Sequence, residues 1–227
     1  MNHKVITIDG PSGVGKGTIA IMIAEELGYN YLDSGSLYRS LALKLYEINN
    51  NFDEVLKNLD YWISDIAIDF RYKEGQKAQI FVNNEDFTDK IRTEKVAILA
   101  SNIAKDPIAR DMLENYQRKY LSAPGLVADG RDMGTKVFSD ANTKFYLTAS
   151  IEKRAERRLN QLKDQGISAN LPGLIQKLLL RDKADTERLT SPLIPAKDAI
   201  IIDTSDIDAS EVFNITINII RDNLKNI

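Results

Sequence analysis

Apolar residues gather in short unbroken runs at Val5–Ile8, Leu126–Ala128, Phe145–Leu147 and Ala199–Ile202, with a weaker run at Tyr29–Leu32. Runs this short and this apolar suit strands buried on both faces of a parallel sheet. Between them the pattern takes the three-to-four-residue period of helices, at 15–27, 35–48, 53–60, 89–104, 107–122, 151–165, 171–183 and 208–224. Pro107 behind Asp106, and the stretch Asp208-Ala-Ser-Glu211, read as helix starts. The alternation predicts an α/β fold, a three-layer core around a central parallel sheet. Its ligand crevice is expected beyond the carboxyl ends of the strands.

Residues 64–88 break this rhythm. Ile66, Ile68 and Phe70 alternate with Asp65, Asp69 and Arg71, then Lys-Glu-Gly-Gln at 73–76 precedes the run Ala78-Gln-Ile-Phe-Val82 and the pair Asn83-Asn84. Period-two alternation broken by turn residues predicts a small antiparallel β-insert between helices. No internal repeat or low-complexity tract is present. At 227 residues the chain is expected to fold as a single domain, 1–227, carrying that insert.

Composition narrows the partners. A net charge of −3 implies no general affinity for nucleic acid. The absence of cysteine removes disulfides and thiol catalysis and fits a reducing cytoplasm. The first strand begins by Val5, which leaves no room for a signal peptide. No apolar stretch approaches the ~20 residues that span a bilayer. The sole histidine, His3, precedes the first strand, so neither histidine catalysis nor a histidine metal site is expected.

The chemistry starts directly after the first apolar run, with Gly10, Pro11, Ser12, Gly13, Val14, Gly15, Lys16, Gly17 and Thr18. Between a buried strand and a helix, this is a phosphate-binding loop. The glycines let the chain turn tightly so that successive N–H groups point at a polyphosphate. Lys16 adds a point charge for the outer phosphates, and the following helix offers its N-terminal dipole. The common form of the motif places Ser or Thr after the lysine, as a magnesium ligand; here Gly17 stands there and Thr18 comes one later. That weakens a GTPase-type metal site and favours phosphoryl transfer to a small molecule, with no metal ligand assigned.

Three further stretches carry candidate site residues. The strand Leu126–Ala128 runs into Asp129, whose carboxylate is expected beside the loop, and then into Arg131 and Asp132. Arg154, Arg157 and Arg158 share one helix face. They read either as a solvated face balanced by Glu152 and Glu156 or as charges that meet a moving phosphoryl group. Arg181, Asp185 and Arg188 form another helical stripe, either an exposed ion-pair ladder worth ~0.3–0.5 kcal/mol per pair or a clamp for an anion and a hydroxyl.

Taken together, Gly-Pro-Ser-Gly-x-Gly-Lys-Gly-Thr at 10–18, Leu32-Asp-Ser-Gly-Ser-Leu-Tyr-Arg39, Asp129-Gly-Arg-Asp-Met-Gly-Thr135, Arg181-Asp-x-x-Asp-x-x-Arg188 and Pro192-Leu-Ile-Pro195-Ala resemble the bacterial cytidylate kinase family, in order and over essentially the whole chain. The resemblance implies a phosphate-loop core, an arginine-bearing lid over 151–187 and a monophosphate-binding region enlarged by the insert at 64–88. It implies transfer of a phosphoryl group from ATP, with Mg2+, to CMP or dCMP, by a cytoplasmic monomer with no nucleic-acid or membrane partner. Carried over, Lys16 and the loop amides cradle ATP, while Arg39 and Arg131 hold the CMP phosphate. Arg181 reaches the transferring phosphates, with Arg154, Arg157 and Arg158 as lid arginines. Asp185 meets the ribose; Ser101, Arg110, Asp132 and Arg188 surround cytosine; Ser34 and Tyr38 lie near the substrate. Ser36 stands where alanine is frequent in relatives. The rival readings are a kinase for another small acceptor, a nucleotide-dependent regulatory protein, and an RNA-binding module. The net charge and the lack of a basic stripe with stacked aromatics disfavour the last.

Overall fold

A computed structural model describes residues 4–48, 54, 57–71, 78–164 and 166–225. Five strands, β1 (Lys4–Asp9), β2 (Asn30–Asp33), β6 (Gly125–Gly130), β7 (Thr143–Thr148) and β8 (Ile200–Asp203), form one parallel sheet in the order β2-β6-β1-β7-β8. Each apolar run of the sequence lies in one of them. Side chains of β1 and β6 divide by their alternation. Val5, Leu126 and Ala128 face one apolar layer; Ile6, Ile8 and Val127 face the other.

Helices cover both faces. Helix α1 (Lys16–Leu27) starts at Gly15 and stops at Gly28, both in the left-handed region, and packs Ile19 and Ile23 with α8 (Ala209–Lys225) on one layer. Helices α2 (Ser34–Ile48), α4 (Glu94–Ile103) and α5 (Pro107–Arg118) cover the other, which also holds Leu59 from the short α3 (Leu59–Ser64). Helices α6 (Ile151–Asp164) and α7 (Leu171–Thr186) follow β7. The chain leaves β1 towards β2 on one side, while β7 lies on the other side of β1. Such a reversal opens a crevice at the carboxyl end of β1.

The insert is a three-stranded antiparallel sheet of β3 (Ile68–Arg71), β4 (Gln79–Val82) and β5 (Glu85–Asp86), in that order. Asn83 and Asn84, both at positive φ, make the tight turn between β4 and β5. The expected turn at 73–76 lies outside the described residues. Ile66, Ile80, Val82 and Phe87 are buried in the same layer as α2 and α5. The Tyr116 hydroxyl accepts from Ile68 N (2.9 Å) and donates to Ile66 O (3.0 Å), fixing the insert to α5.

Some helix bounds differ from the sequence pattern. The 89–104 segment is a short 3-10 turn at Lys90–Arg92 followed by α4, because Thr93 adopts extended backbone and its hydroxyl caps Val96 N. The 107–122 helix ends at Arg118, and α7 runs on to Thr186. Residues 53, 55 and 56 of the expected 53–60 helix, and His3, lie outside the described residues.

Candidate active site

The loop after β1 needs its glycines for two separate reasons. Gly10, Gly13 and Gly15 have φ of 146°, 85° and 93°, and a Cβ on Gly10 would lie 2.2 Å from the Leu147 carbonyl oxygen. Val14 is core, and its carbonyl accepts from the Thr204 hydroxyl. Lys16 opens α1, with its Nζ donating to Pro11 O at 2.8 Å. Burial lowers its pKa from 10.5 to about 7, helped by Arg131 and opposed by Asp129.

Above the loop lies a cavity of about 590 Å3, into which six cations converge: Lys16, Arg39, Arg92, Arg131, Arg158 and Arg181. Against them stand the carboxylates of Glu25, Asp33 and Asp129. Ser12, Gly13, Gly15, Gly17 and Thr18 of the loop line the same cavity. Burial lowers the guanidinium pKa of Arg39 and, to about 10, that of Arg181, where the neighbouring Arg131 adds to the effect. A polyanion would relieve this repulsion. Burial works against the Arg131 charge, but its Nε donates to Asp185 Oδ2 at 2.8 Å and the pair raises the Arg131 pKa and lowers that of Asp185. Arg181 reaches back to the Ser12 hydroxyl at 3.3 Å.

Two buried carboxylates sit beneath the loop. Asp9 accepts from the amides of Met133 and Gly134 at 2.9 and 2.8 Å, but burial outweighs them and lifts its pKa to about 6. Asp129 is raised by burial, with Asp33 adding to it, while Lys16 opposes. Its Oδ1 accepts from the Tyr31 hydroxyl at 2.9 Å. Asp129 and Thr18 put oxygen donors into the cavity that Lys16 serves. Among the described residues no three His, Cys, Asp or Glu side chains form a metal cluster. Magnesium bound by one or two carboxylates and by substrate phosphates needs no such cluster, so these oxygens fit a metal carried in with a nucleotide.

The three α6 arginines share a face but not a task. Arg154 is 6% exposed. Its Nε donates to Ala149 O (3.1 Å), its Nη1 to Ser12 O (3.2 Å), and its Nη2 pairs with Asp182 at 2.7 Å. Arg157 donates to the hydroxyl of Thr204 at 3.1 Å and also to its carbonyl. Neither lines the cavity; Arg158 does, with one nitrogen on Gln161 Oε1 at 2.6 Å.

A second, narrow cavity of about 10 Å3 lies beside the first, lined by Tyr38, Arg110, Asp132 and Ser191 among others. Arg110 and Asp132 form a buried ion pair, with the Arg110 guanidinium 5.8 Å from the Tyr38 ring centroid. Burial pulls the Arg110 pKa down, yet Asp132 raises it on balance. Arg188 donates to Ser191 O at 2.5 Å. Among the described residues the Nε atoms of Arg110 and Arg188 are buried without a partner, two donors available to the edge of a polar ligand. Ser34 is buried against Gly130, whereas Ser101 is exposed on α4 and lines neither cavity.

The sequence pattern did not single out Asp9, Asp33, Arg92, Asp182 or Thr204. Asp9 and Asp33 had a local signal, each as the polar end of a buried strand; the others reach the site only through the fold.

A family model described as cytidylate kinase matches residues 6–222. The chain is 44% identical over 227 residues to the cytidylate kinase of Shewanella sp. (strain MR-4), covering 98% of this chain and 96% of the relative. It is 47% identical over 208 residues to that of Marinomonas sp. (strain MWYL1), covering 92% and 91%. To that of Colwellia psychrerythraea (strain 34H / ATCC BAA-681) it is 45% identical over 210 residues, covering 92% of each.

Proposed function

Because this chain belongs to the cytidylate kinase family, we propose that it transfers the γ-phosphoryl group of ATP, with Mg2+, to CMP or dCMP, giving ADP and CDP or dCDP. It is a nucleoside-monophosphate kinase, and its substrates are small nucleotides. The observation that carries the acceptor assignment is the placement of two adjacent residues. At the end of β6, Arg131 lines the large cavity of cations and Asp132 lines the narrow one. One acceptor can thus put its phosphate on the first residue and its base on the second.

In this reading Lys16 and the loop amides bind the outer phosphates of the donor. Arg39 and Arg131 hold the acceptor phosphate. Arg181 and Arg158 offset the charge that spreads over the oxygens of the moving group, so that two anions can be held in line. Mg2+ would supply further neutralisation at the donor phosphates, with Asp129 as the nearest protein oxygen suited to its shell. Asp185 meets the ribose hydroxyls. Asp132 accepts from the cytosine amine, while Arg110, Arg188 and Ser101 donate to the ring's acceptors. Ser101 gets there by approach of α4, since it stands exposed. Ser34 and Tyr38 wall the acceptor. The segment 151–187 acts as a lid that excludes water, and the insert at 64–88 belongs to the acceptor side of a single 1–227 domain. The reading includes a cytoplasmic setting and action as a monomer. Among the described residues no helix is long and apolar enough to cross a membrane.

A coupled assay with ATP, Mg2+ and each of CMP, dCMP, UMP, AMP and GMP tests the assignment. CMP and dCMP should turn over far faster than the rest. Equal use of AMP or GMP would refute the acceptor reading.

A further inference from the structure

The loop lacks a hydroxyl at position 17, yet a hydroxyl lies next to that position. A Cβ built on Gly17 would have one neighbour within 4 Å, the Tyr31 hydroxyl oxygen at 3.5 Å. Tyr31 comes from β2, not from the loop. Its partner across the sheet is Val127, and its phenol reaches diagonally to Asp129, two residues on along β6. The ring is held in the core, 4% exposed and edge-on to Phe70 at 6.4 Å. The hydroxyl donates to Asp129 Oδ1 at 2.9 Å.

Two nearby groups do not fill this role. Thr18, one residue further along α1 and turned about 100° around the helix, is exposed and also lines the large cavity, but among the described residues it is Tyr31, not Thr18, that donates to Asp129. Ser36 donates from its amide and hydroxyl to Asp33, at 2.8 and 2.5 Å, and not to Asp129. The two hydroxyls divide the carboxylates between them: Ser36 holds Asp33, and Tyr31 holds Asp129.

We propose that Tyr31 is a positioning residue for the metal-bearing donor, supplying from β2 the hydroxyl that Gly17 cannot, and holding Asp129 with its second oxygen free for the cavity. This rests on the reading of the donor as a metal–nucleotide complex. Loss of the phenol hydroxyl leaves Asp129 without its fixed donor, and a buried carboxylate without that donor is free to turn away from the cavity. Tyr31 lines the large cavity and not the narrow one assigned to the acceptor base, and with no acceptor present the loss should fall on the metal-dependent part of donor binding.

The test is Tyr31→Phe, which keeps the ring. Binding of ADP is measured by calorimetry in EDTA and again with Mn2+, and bound Mn2+ is followed by its electron spin resonance. The expected result is about tenfold weaker Mn2+–ADP binding with less than a twofold change for ADP in EDTA. Adding Gly17→Ser, which has room for its Cβ, should recover most of the loss. Equal weakening with and without metal would make Tyr31 a packing residue and overturn the inference, as would no change in either. Asp129→Asn gives a second reading should Tyr31→Phe not fold: it must show the same metal-specific loss, and unaltered Mn2+–ADP binding there also overturns it. These measurements contain no acceptor. An assay showing a different preferred monophosphate would therefore refute the acceptor reading and leave this one standing.

Discussion

The two cavities that meet at the end of β6 are built on opposite principles. The large one gathers six cations against three carboxylates and leaves the cations mutually repelling. The narrow one is mostly paired within itself, with Arg110 on Asp132 and Arg188 on Ser191, and keeps two Nε donors spare. An anion entering the first gains at once from charge it finds waiting. A base entering the second must exchange protein–protein contacts for its own, so only a base that replaces them well gains anything. In the proposed reading the phosphate side would therefore supply affinity and the base side discrimination.

The largest break in that comparison is Lys16→Ala. It removes a charge aimed at the developing phosphoryl oxygens, and kcat should fall on the order of 10²-fold or more. Circular dichroism and the melting temperature should stay close to wild type. A folded variant that keeps more than half its activity would remove the loop from the chemistry.

Asp132→Ala attacks the other side. Its kcat/KM for CMP should drop by about 10²-fold, and the ratio of CMP to UMP efficiency should shrink, because the carboxylate that repels uracil's carbonyl is gone. It should also lose stability, by about 3–5 kcal/mol, since Arg110 is left buried without its counter-charge. Denaturant unfolding measures that loss, and full retention of discrimination would contradict the base pocket described above.

The α6 arginines sharpen the comparison by dividing a single face. Arg158→Ala should lower kcat by roughly 30-fold with little change in KM for CMP, as a contact made mainly in the transition state would. Arg154→Ala should act chiefly on melting temperature, because its nitrogens serve Ala149, Ser12 and Asp182. Arg157→Ala should change kcat least. Steady-state kinetics and thermal melts on the three variants would reverse the assignment if Arg154 or Arg157 lost the most turnover at unchanged stability.

The smallest expected effect is on pH dependence. Lys16 is depressed to about 7 in the free protein, and a bound polyphosphate would restore it towards its ordinary range. Above pH 7 donor binding must then take up a proton, so affinity should fall as pH rises, by at most about tenfold per unit. The same depression has the opposite sign for folding. Between pH 7 and the ordinary lysine range the unfolded chain holds the extra proton, so stability rises with pH there. Calorimetry of ADP binding in buffers of different ionisation enthalpy measures the uptake; a pH-independent affinity from 7 to 9 would show Lys16 already charged.

What could be read from the sequence was what is local. Strands β1, β2, β6 and β7 were visible because their apolar runs are buried on both faces, and the phosphate loop because its residues are contiguous; β8 was visible by its apolar run although, at the sheet edge, it leaves Ile201 60% exposed against the expectation of burial on both faces. The break at Thr93 was hidden, since 89–104 keeps a helical pattern across a residue that a single cap takes out of the helix. The arginines show the limit most sharply. Spacing put Arg154, Arg157 and Arg158 on one face, but the choice between bracing and facing the cavity depends on Ser12, Thr204 and Asp182, from three distant segments. Tyr31 carried no signal, because its role depends on the glycine it stands beside.

The Arg154 contacts have a mechanical consequence. One guanidinium joins the end of β7, the phosphate loop and α7. Any rotation of α7 relative to the sheet would load this joint, together with the Arg181–Ser12 and Arg131–Asp185 contacts, and act on the phosphate loop. Helix α7 and the phosphate loop are thus coupled through Arg154 and Arg181, so stiffening either one by design should also retune the other.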